Sequence, residues 1–276
     1  MSNPPKFFAE PPLDRPPLVI GWSVDAARLG DRVTGYLNRK LGGQLCCQID
    51  PGDFFPLGGV AIEDDIIRFP ECSFYACPQH NLLVLRSAPP QYDWYRFFQD
   101  VLQIAQERYR VREVLTLGGM VSVAAHNTPR ELVATFNAAE LKTAFGAYRL
   151  ATGLDYETPP GQRPTLNSFL LWAAMRRGIP GVSLWAPVPF YLIPVDDPTG
   201  QKVLLELLSE RFGLGLDLAE LDTEIARLNE LIAGARARSP EMDEAIGRLE
   251  SNLTLSDEEN QKLVTEMEKL LRGTAT

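Results

Sequence analysis

The sequence predicts an α/β protein with a mixed central sheet covered on both faces, followed by a short helical module. Three observations predict it. Strand-like and helix-like runs alternate through the first 215 residues. Two neighbouring strand-like runs near residues 60–77 read as a hairpin, which makes the sheet mixed. The composition changes after Gly215, where apolar residues fall at three- and four-residue steps among many acids.

The elements follow in order. The opening MSNPPKFFAEPPLDRPP is rich in proline and has no apolar core of a leader peptide, so residues 1–16 read as a flexible or surface-draped arm. LVIGW (18–22) is a buried-strand run. Ala26, Leu29, Val33, Tyr36 and Leu37 then space out a helix over 25–40, with Ser23 or Asp25 as its N-cap. QLCCQI (44–49) reads as a strand, and the following PGDFFPLGG as a loop with two exposed aromatics. VAIEDDIIRF (60–69) and SFYAC (73–77) are the hairpin candidates, and NLLVLRS (81–87) is a strand. Tyr95, Phe98, Val101, Leu102, Ala105 and Tyr109 form one helical stripe.

VREVLTLGG (111–119) is a strand ending at two glycines, and LVATF (132–136) is another strand. A helix runs over 166–178, with Thr165 as N-cap and Gly178 as its stop. Its apolar residues are spread too widely for one stripe, so burial on more than one side is expected. VSLWAPV (182–188) returns as a strand. In the next helix Asp197 caps, Pro198 takes the first position and Gly213 terminates. The α/β core thus spans 17–215. Residues 216–276 form an acidic helical module: Leu218, Leu221, Ile225, Leu228 and Ile232 line a first helix, Ser239-Pro240 opens a second, and Ser256 with Glu259 makes a capping box for a third. The continuous heptads are too few for a long coiled coil, so a packed hairpin is expected.

Composition bounds the chemistry. The net charge is −9, and the last sixty residues hold fourteen acids against seven bases, so the body is nearly neutral. No basic surface is left for nucleic acid or an anionic membrane. No run of eighteen apolar residues exists to span a bilayer, and a cytoplasmic location is expected. Cys46, Cys47, Cys72 and Cys77 lack metal-ligand spacing, and adjacent Cys46 and Cys47 point to opposite faces of a strand, so free thiols are expected. With two histidines and no HExxH, no metal and no cofactor is assigned. Glu63, Asp64 and Asp65 read as a solvated strand edge rather than a cation site.

Two places could hold a ligand. Gly118-Gly119 ends a strand, and His126-Asn127 follows in the same loop; ligands of open α/β sheets sit at strand carboxyl ends. The plainer reading is a tight strand-to-helix turn with a polar cap. Arg163, Asn167 and Ser168 surround a helix N-terminus that could take an anion. There Arg163 is as readily explained by pairing with Asp155 or Glu157. No serine stands in a G-x-S-x-G setting and no phosphate loop is present, so no catalytic residue is assigned.

IDPGDFF (49–55), LTLGGM (115–120), GIPGVSLWAPVPFYL (178–192) and DDPTGQKVLLELLSERFGLGLDL (196–218) together resemble the proteasome assembly chaperone family, in particular its bacterial and archaeal relatives. The resemblance covers roughly residues 15–220 and includes no catalytic signature. It implies a three-layer α/β/α fold, phosphorylase/hydrolase-like, with self-association and, in some members, binding to proteasome α-subunits through a hydrophobic–Tyr–any-residue tail. This sequence reads Gly273-Thr274-Ala275-Thr276 at that place, so tail docking is not expected.

The favoured reading is a non-catalytic, oligomeric, chaperone-like interaction protein. Its partners would be further copies of itself, for instance in a trimer, and an unidentified protein. Trp185, Phe190 and Tyr191 at a strand exit, with Leu221, Ile225 and Leu228 on the first tail helix, are its candidate contact residues. The alternative is a small-molecule-binding protein or enzyme with a phosphorylase-like cleft at Gly118, Gly119, His126 and Asn167.

Overall fold

The computed structural model describes residues 4–50, 52, 54–55, 60–63 and 65–272. Pro51 and Asp53 of the IDPGDFF loop, Asp64 of the carboxylate run, the first three residues of the arm and the terminal Gly273–Thr276 lie outside the described residues. The chain divides into two compact units that interleave along the sequence. One comprises 1–24, 30–118 and 133–184; the other comprises 25–29, 119–132 and 185–276.

The first unit is built on a nine-stranded sheet. In chain order its strands are β1 (Lys6–Phe7), β2 (Pro17–Trp22), β3 (Gln44–Gln48), β6 (Cys72–Cys77), β7 (Leu82–Ser87), β8 (Glu113–Ser122), β9 (Leu132–Phe136), β10 (Leu150–Ala151) and β11 (Gly181–Pro189). The short pair β4 (Ala61–Glu63) and β5 (Ile66–Arg68) forms a separate two-stranded sheet. The spatial order is β1-β3-β6-β7-β2-β8-β11-β9-β10. β2 lies parallel to both β7 and β8, while β3–β6 and β6–β7 are antiparallel, so the sheet is mixed as its sequence implies.

β2 shows how the layers arise. Alternate residues of a strand face opposite sides. Leu18, Ile20 and Trp22 point into a cluster with Phe97, Phe98 and Val101 of α2 (Trp94–Gln103) and Leu170, Ala173 and Ala174 of α4 (Leu166–Arg176). Gly21 points the other way, against α1 (Leu29–Leu41), so closely that a Cβ there would collide with the Gly30 carbonyl and Thr34. Helices therefore cover both faces. Each buried aromatic of the first cluster contributes about 2 kcal/mol of hydrophobic stabilisation. α3 (Ala139–Ala144) completes this unit.

The second unit takes up β8 beyond Gly118 and β11 beyond Leu184, then adds α5 (Pro198–Phe212), α6 (Ala219–Arg238), α7 (Pro240–Glu250) and α8 (Asp257–Arg272). Its helix ends follow local chemistry. Asp197 accepts from Gly200 N at 3.2 Å, Gly213 takes φ 62°, and Ser256 and Glu259 cap each other at 2.7 and 3.3 Å. α5 packs on α6, α6 on α7 and α7 on α8, and α8 also covers Phe190–Leu192. No helix is long and apolar enough to cross a membrane among the described residues.

Several local expectations are corrected. Gly118-Gly119 lies inside β8, which continues to Ser122, because Gly119 is needed for a close crossing: a Cβ would collide with the Ala26 carbonyl. The Asp25 carbonyl accepts from Arg28 N at 3.1 Å, but its side chain does not cap: Oδ2 accepts from Gly119 N at 3.2 Å. Ala27 and Arg28 beside it adopt left-handed φ of 56° and 51°, which delays α1 until Leu29. The hairpin forms within 61–68, while Cys72–Cys77 joins the main sheet. Phe54 and Phe55 are buried rather than exposed, each packed edge-on against Phe97. Tyr95 leaves its stripe and is 51% exposed. The β3–β6 register shifts at Leu45/Cys47, and all four cysteines are buried free thiols.

Candidate functional site

The largest departure from the buried-helix expectation concerns α2 and α4. Asp93, at φ 44°, caps α2 by accepting from Arg96 N at 3.3 Å. Thr165 caps α4 by accepting from Ser168 N at 3.1 Å. The two helices pack together through Phe98 and Phe169, with ring centroids 5.8 Å apart. Their ends are tied by Arg177, which donates from Nε and Nη2 to Gln99 Oε1 at 2.9 and 2.7 Å, while Gln106 Nε2 donates to the Arg177 carbonyl at 3.1 Å.

On the solvent side of this pair stand Tyr92, Tyr95, Trp172 and Met175, which are 57%, 51%, 37% and 51% exposed. Trp172 packs against Phe169 and Tyr95 with centroids 5.2 and 6.3 Å away, so the ring is held rather than loose. The guanidinium of Arg176 lies 5.2 Å over the Trp172 ring. Tyrosine, tryptophan, methionine and arginine are the residue types enriched at protein interfaces and their energetic centres. α4 is thus apolar all round because one side faces the core and the other is an exposed aromatic face.

A second exposed apolar feature is the β4–β5 pair. Val60, Ile62, Ile66, Ile67 and Phe69 are between 42% and 72% exposed. Ile62 lies opposite Ile67, so both share one side of the ribbon. Ile67, Val60 and Phe69 line a groove of about 750 Å³ together with Ile49, Phe55 and Tyr75. Glu71, also on its wall, accepts from the Tyr75 hydroxyl at 2.5 Å, and Lys6, Gln48 and Asp50 add further polar groups to the lining. Burial pushes the Tyr75 phenol up to about 12, with the Glu71 carboxylate adding to the shift.

At the carboxyl ends of β2 and β7 lies a smaller cavity of about 310 Å³, bordered by Ser23, Asp31, Glu71, Arg86, Ser87 and Gln91. Arg86 Nη2 donates to Asp31 Oδ1 at 2.6 Å, and Arg86 Nε is buried without a hydrogen-bond partner among the described residues. This is the strand-end position where open α/β sheets take ligands.

The residues singled out from the sequence fall as follows. Gly118 and Gly119 are buried in β8. In the second unit, His126 N donates to the Tyr191 hydroxyl oxygen at 2.7 Å, and the ring Nδ1 stands 2.8 Å from the same oxygen. Burial lowers the His126 pKa and raises that of Tyr191. Asn127 Nδ2 donates to Glu250 Oε1 at 2.9 Å, and Arg236 holds the same carboxylate at 2.7 Å.

Nearby in the chain, Arg130 Nη1 donates to the Pro187 carbonyl at 2.6 Å and forms a buried ion pair with Asp197. No local pattern signals this pair, because its members are 67 residues apart. In the first unit Asn167 is buried and accepts from Trp22 Nε1 at 2.6 Å, while Arg163 and Ser168 are exposed. Trp185 and Phe190 are half-buried and Tyr191 is fully buried. Leu221 is buried, and Ile225 and Leu228 are half-buried on α6. The sequence reading passed over Tyr92, Trp172, Met175 and Arg176 as contact residues, although the apolar surplus of α4 was their signal.

The chain is thus an α/β protein with a mixed sheet and exposed apolar faces. Residues 18–235 match the model of the PAC2 family, and the chain belongs to that family. Its fold is shared by a Mycobacterium tuberculosis protein of unknown function, at TM-score 0.75 and 22% identity over 90% of this chain and 90% of that one. It is also shared by a Mycobacterium tuberculosis proteasome-assembly chaperone homologue, at TM-score 0.68 and 19% identity over 83% of this chain and 99% of that one. A Pyrococcus furiosus archaeal proteasome activator matches at TM-score 0.68 and 18% identity, over 84% of this chain and 98% of that one. No curated protein matches the sequence.

Proposed function

We propose that the chain is a non-catalytic, oligomeric protein-interaction protein of chaperone type. The observation that carries this reading is the exposed face of α2 and α4, where Tyr92, Tyr95, Trp172 and Met175 stand in solvent around Arg176. An exposed aromatic and cationic cluster of this kind is what an interface core needs. Similar folds in an archaeal proteasome activator and a proteasome-assembly chaperone homologue make proteasome subunits the first partners to try. The test is capture of purified proteasome α-subunits on immobilised protein, alongside light scattering at tens of micromolar. Capture or self-association that is lost in Trp172→Glu supports the reading. A strict monomer that captures none of them overturns it.

A second reading, small-molecule binding, is favoured by the strand-end cavity beside Arg86 and Asp31. A thermal-shift screen with phosphate, nucleosides and nucleotides tests it, since a ligand that binds only the folded state raises the melting point by mass action. A rise that disappears in Arg86→Ala supports this reading, and no rise with any of them removes it.

A further inference from the structure

We infer that the exposed face of α2 and α4 on one copy docks into the groove beneath the β4–β5 hairpin of a second copy, in a head-to-tail contact. The inference rests on the interaction-protein reading and names its first partner.

Three observations carry it. A lone two-stranded hairpin is marginal in water, yet this one exposes Val60, Ile62, Ile66, Ile67 and Phe69. Its apolar side overhangs a groove of about 750 Å³ with Ile49 and Phe55 in the wall, room enough for several side chains. The α2–α4 face offers the complementary shape, a raised cluster of Trp172, Met175 and Tyr95.

Charge selects the pairing. Within the hairpin Glu63 and Asp65 stand against Arg68, and Asp50 and Glu71 line the groove with Lys6, so acids outnumber bases on this side. The helical face carries Arg176, whose guanidinium lies over the Trp172 ring. A face meeting its own copy would set Arg176 against Arg176, and two hairpins meeting would set acid against acid. The hairpin of one copy against the helical face of the next brings opposite charges together around apolar centres. Both patches are exposed in the same copy, so a chain does not satisfy its own. Two different patches in contact make a heterologous interface, which closes into a ring when the rotation between copies allows it.

The experiment uses the full chain. Ile67→Cys and Met175→Cys are prepared separately and treated with a short bismaleimide, alone and after mixing. The four native thiols are buried, so the reagent reports the introduced ones. Cross-linked dimer in the mixture but not in either variant alone supports the contact. No cross-link in the mixture, or equal cross-linking in a single variant, overturns it. In parallel, Arg176→Glu lowers self-association at least tenfold, and Arg176→Glu mixed with Asp65→Lys restores it. If mixing restores nothing while both variants keep the wild-type melting point, the pairing is wrong. If Trp172→Glu loses capture of another protein while the self-associated mass is unchanged, this contact falls and the interaction reading stands.

Discussion

Two aromatic clusters that read alike in the sequence end differently in the structure. GVSLWAPVPFYL ends in Trp185, Phe190 and Tyr191, and LNSFLLWAAM holds Phe169, Trp172 and Met175. At the first, α8 packs over Phe190–Leu192, and Tyr191 is fully buried with its hydroxyl bound by His126. At the second, Trp172 and Met175 remain in solvent with Arg176 above the ring. The first cluster is closed by its own chain and the second is left open. An aromatic run therefore marks an interface only after the chain's own later elements have taken their share.

The sharpest way to break this comparison is to truncate one residue in each cluster. Tyr191→Ala should cost about 3 kcal/mol in denaturant unfolding, as for a buried aromatic, with self-association unchanged. A loss of association without loss of stability would show that the closed exit is a contact surface after all. Trp172→Ala should do the opposite. It should weaken association by about 2 kcal/mol, roughly 30-fold, with stability within about 1 kcal/mol of wild type.

A smaller effect sharpens the use of thiol probes on the open face. Burial pushes Cys47 and Cys72 up to about 12 and Cys77 up to about 11, and raises Cys46 as well. Native protein at mildly alkaline pH should therefore resist iodoacetamide for hours by intact mass, while denatured protein takes up four groups. Rapid native labelling would contradict the burial of these strands.

The smallest effect concerns the closed cluster. Burial lowers the His126 pKa below its unfolded value, so the unfolded chain binds the proton more readily. Neutral His126 contributes stability that is fully present above the unfolded value of about 6.5 and is lost as pH falls through the folded value. His126→Gln should flatten the pH dependence of unfolding below about pH 6.5. An unchanged slope would mean that burial does not hold the ring neutral.

Much of the fold was legible because its signals are local. Thr165, Asp197 and Ser256 cap helices through side chains within three residues, and Gly178 and Gly213 stop them with positive φ. What was illegible depends on distant partners. Gly119 reads as a turn until the Ala26 carbonyl is set against it, and Asp25 reads as a cap until Gly119 N claims its carboxylate. Phe54 and Phe55 look exposed in a Gly- and Pro-rich loop until Phe97 packs on them. For the candidate site, the excess apolarity of α4 was readable. Which of its sides stayed open was not, because that depends on α2 and on the strands beneath.

The most direct test of the account is the light-scattering mass of wild type and Trp172→Glu over a concentration series, each with its melting point. Wild type should show two or more times the 30.7 kDa monomer mass, and folded Trp172→Glu protein the monomer mass itself. Equal masses for the two at every concentration would contradict it.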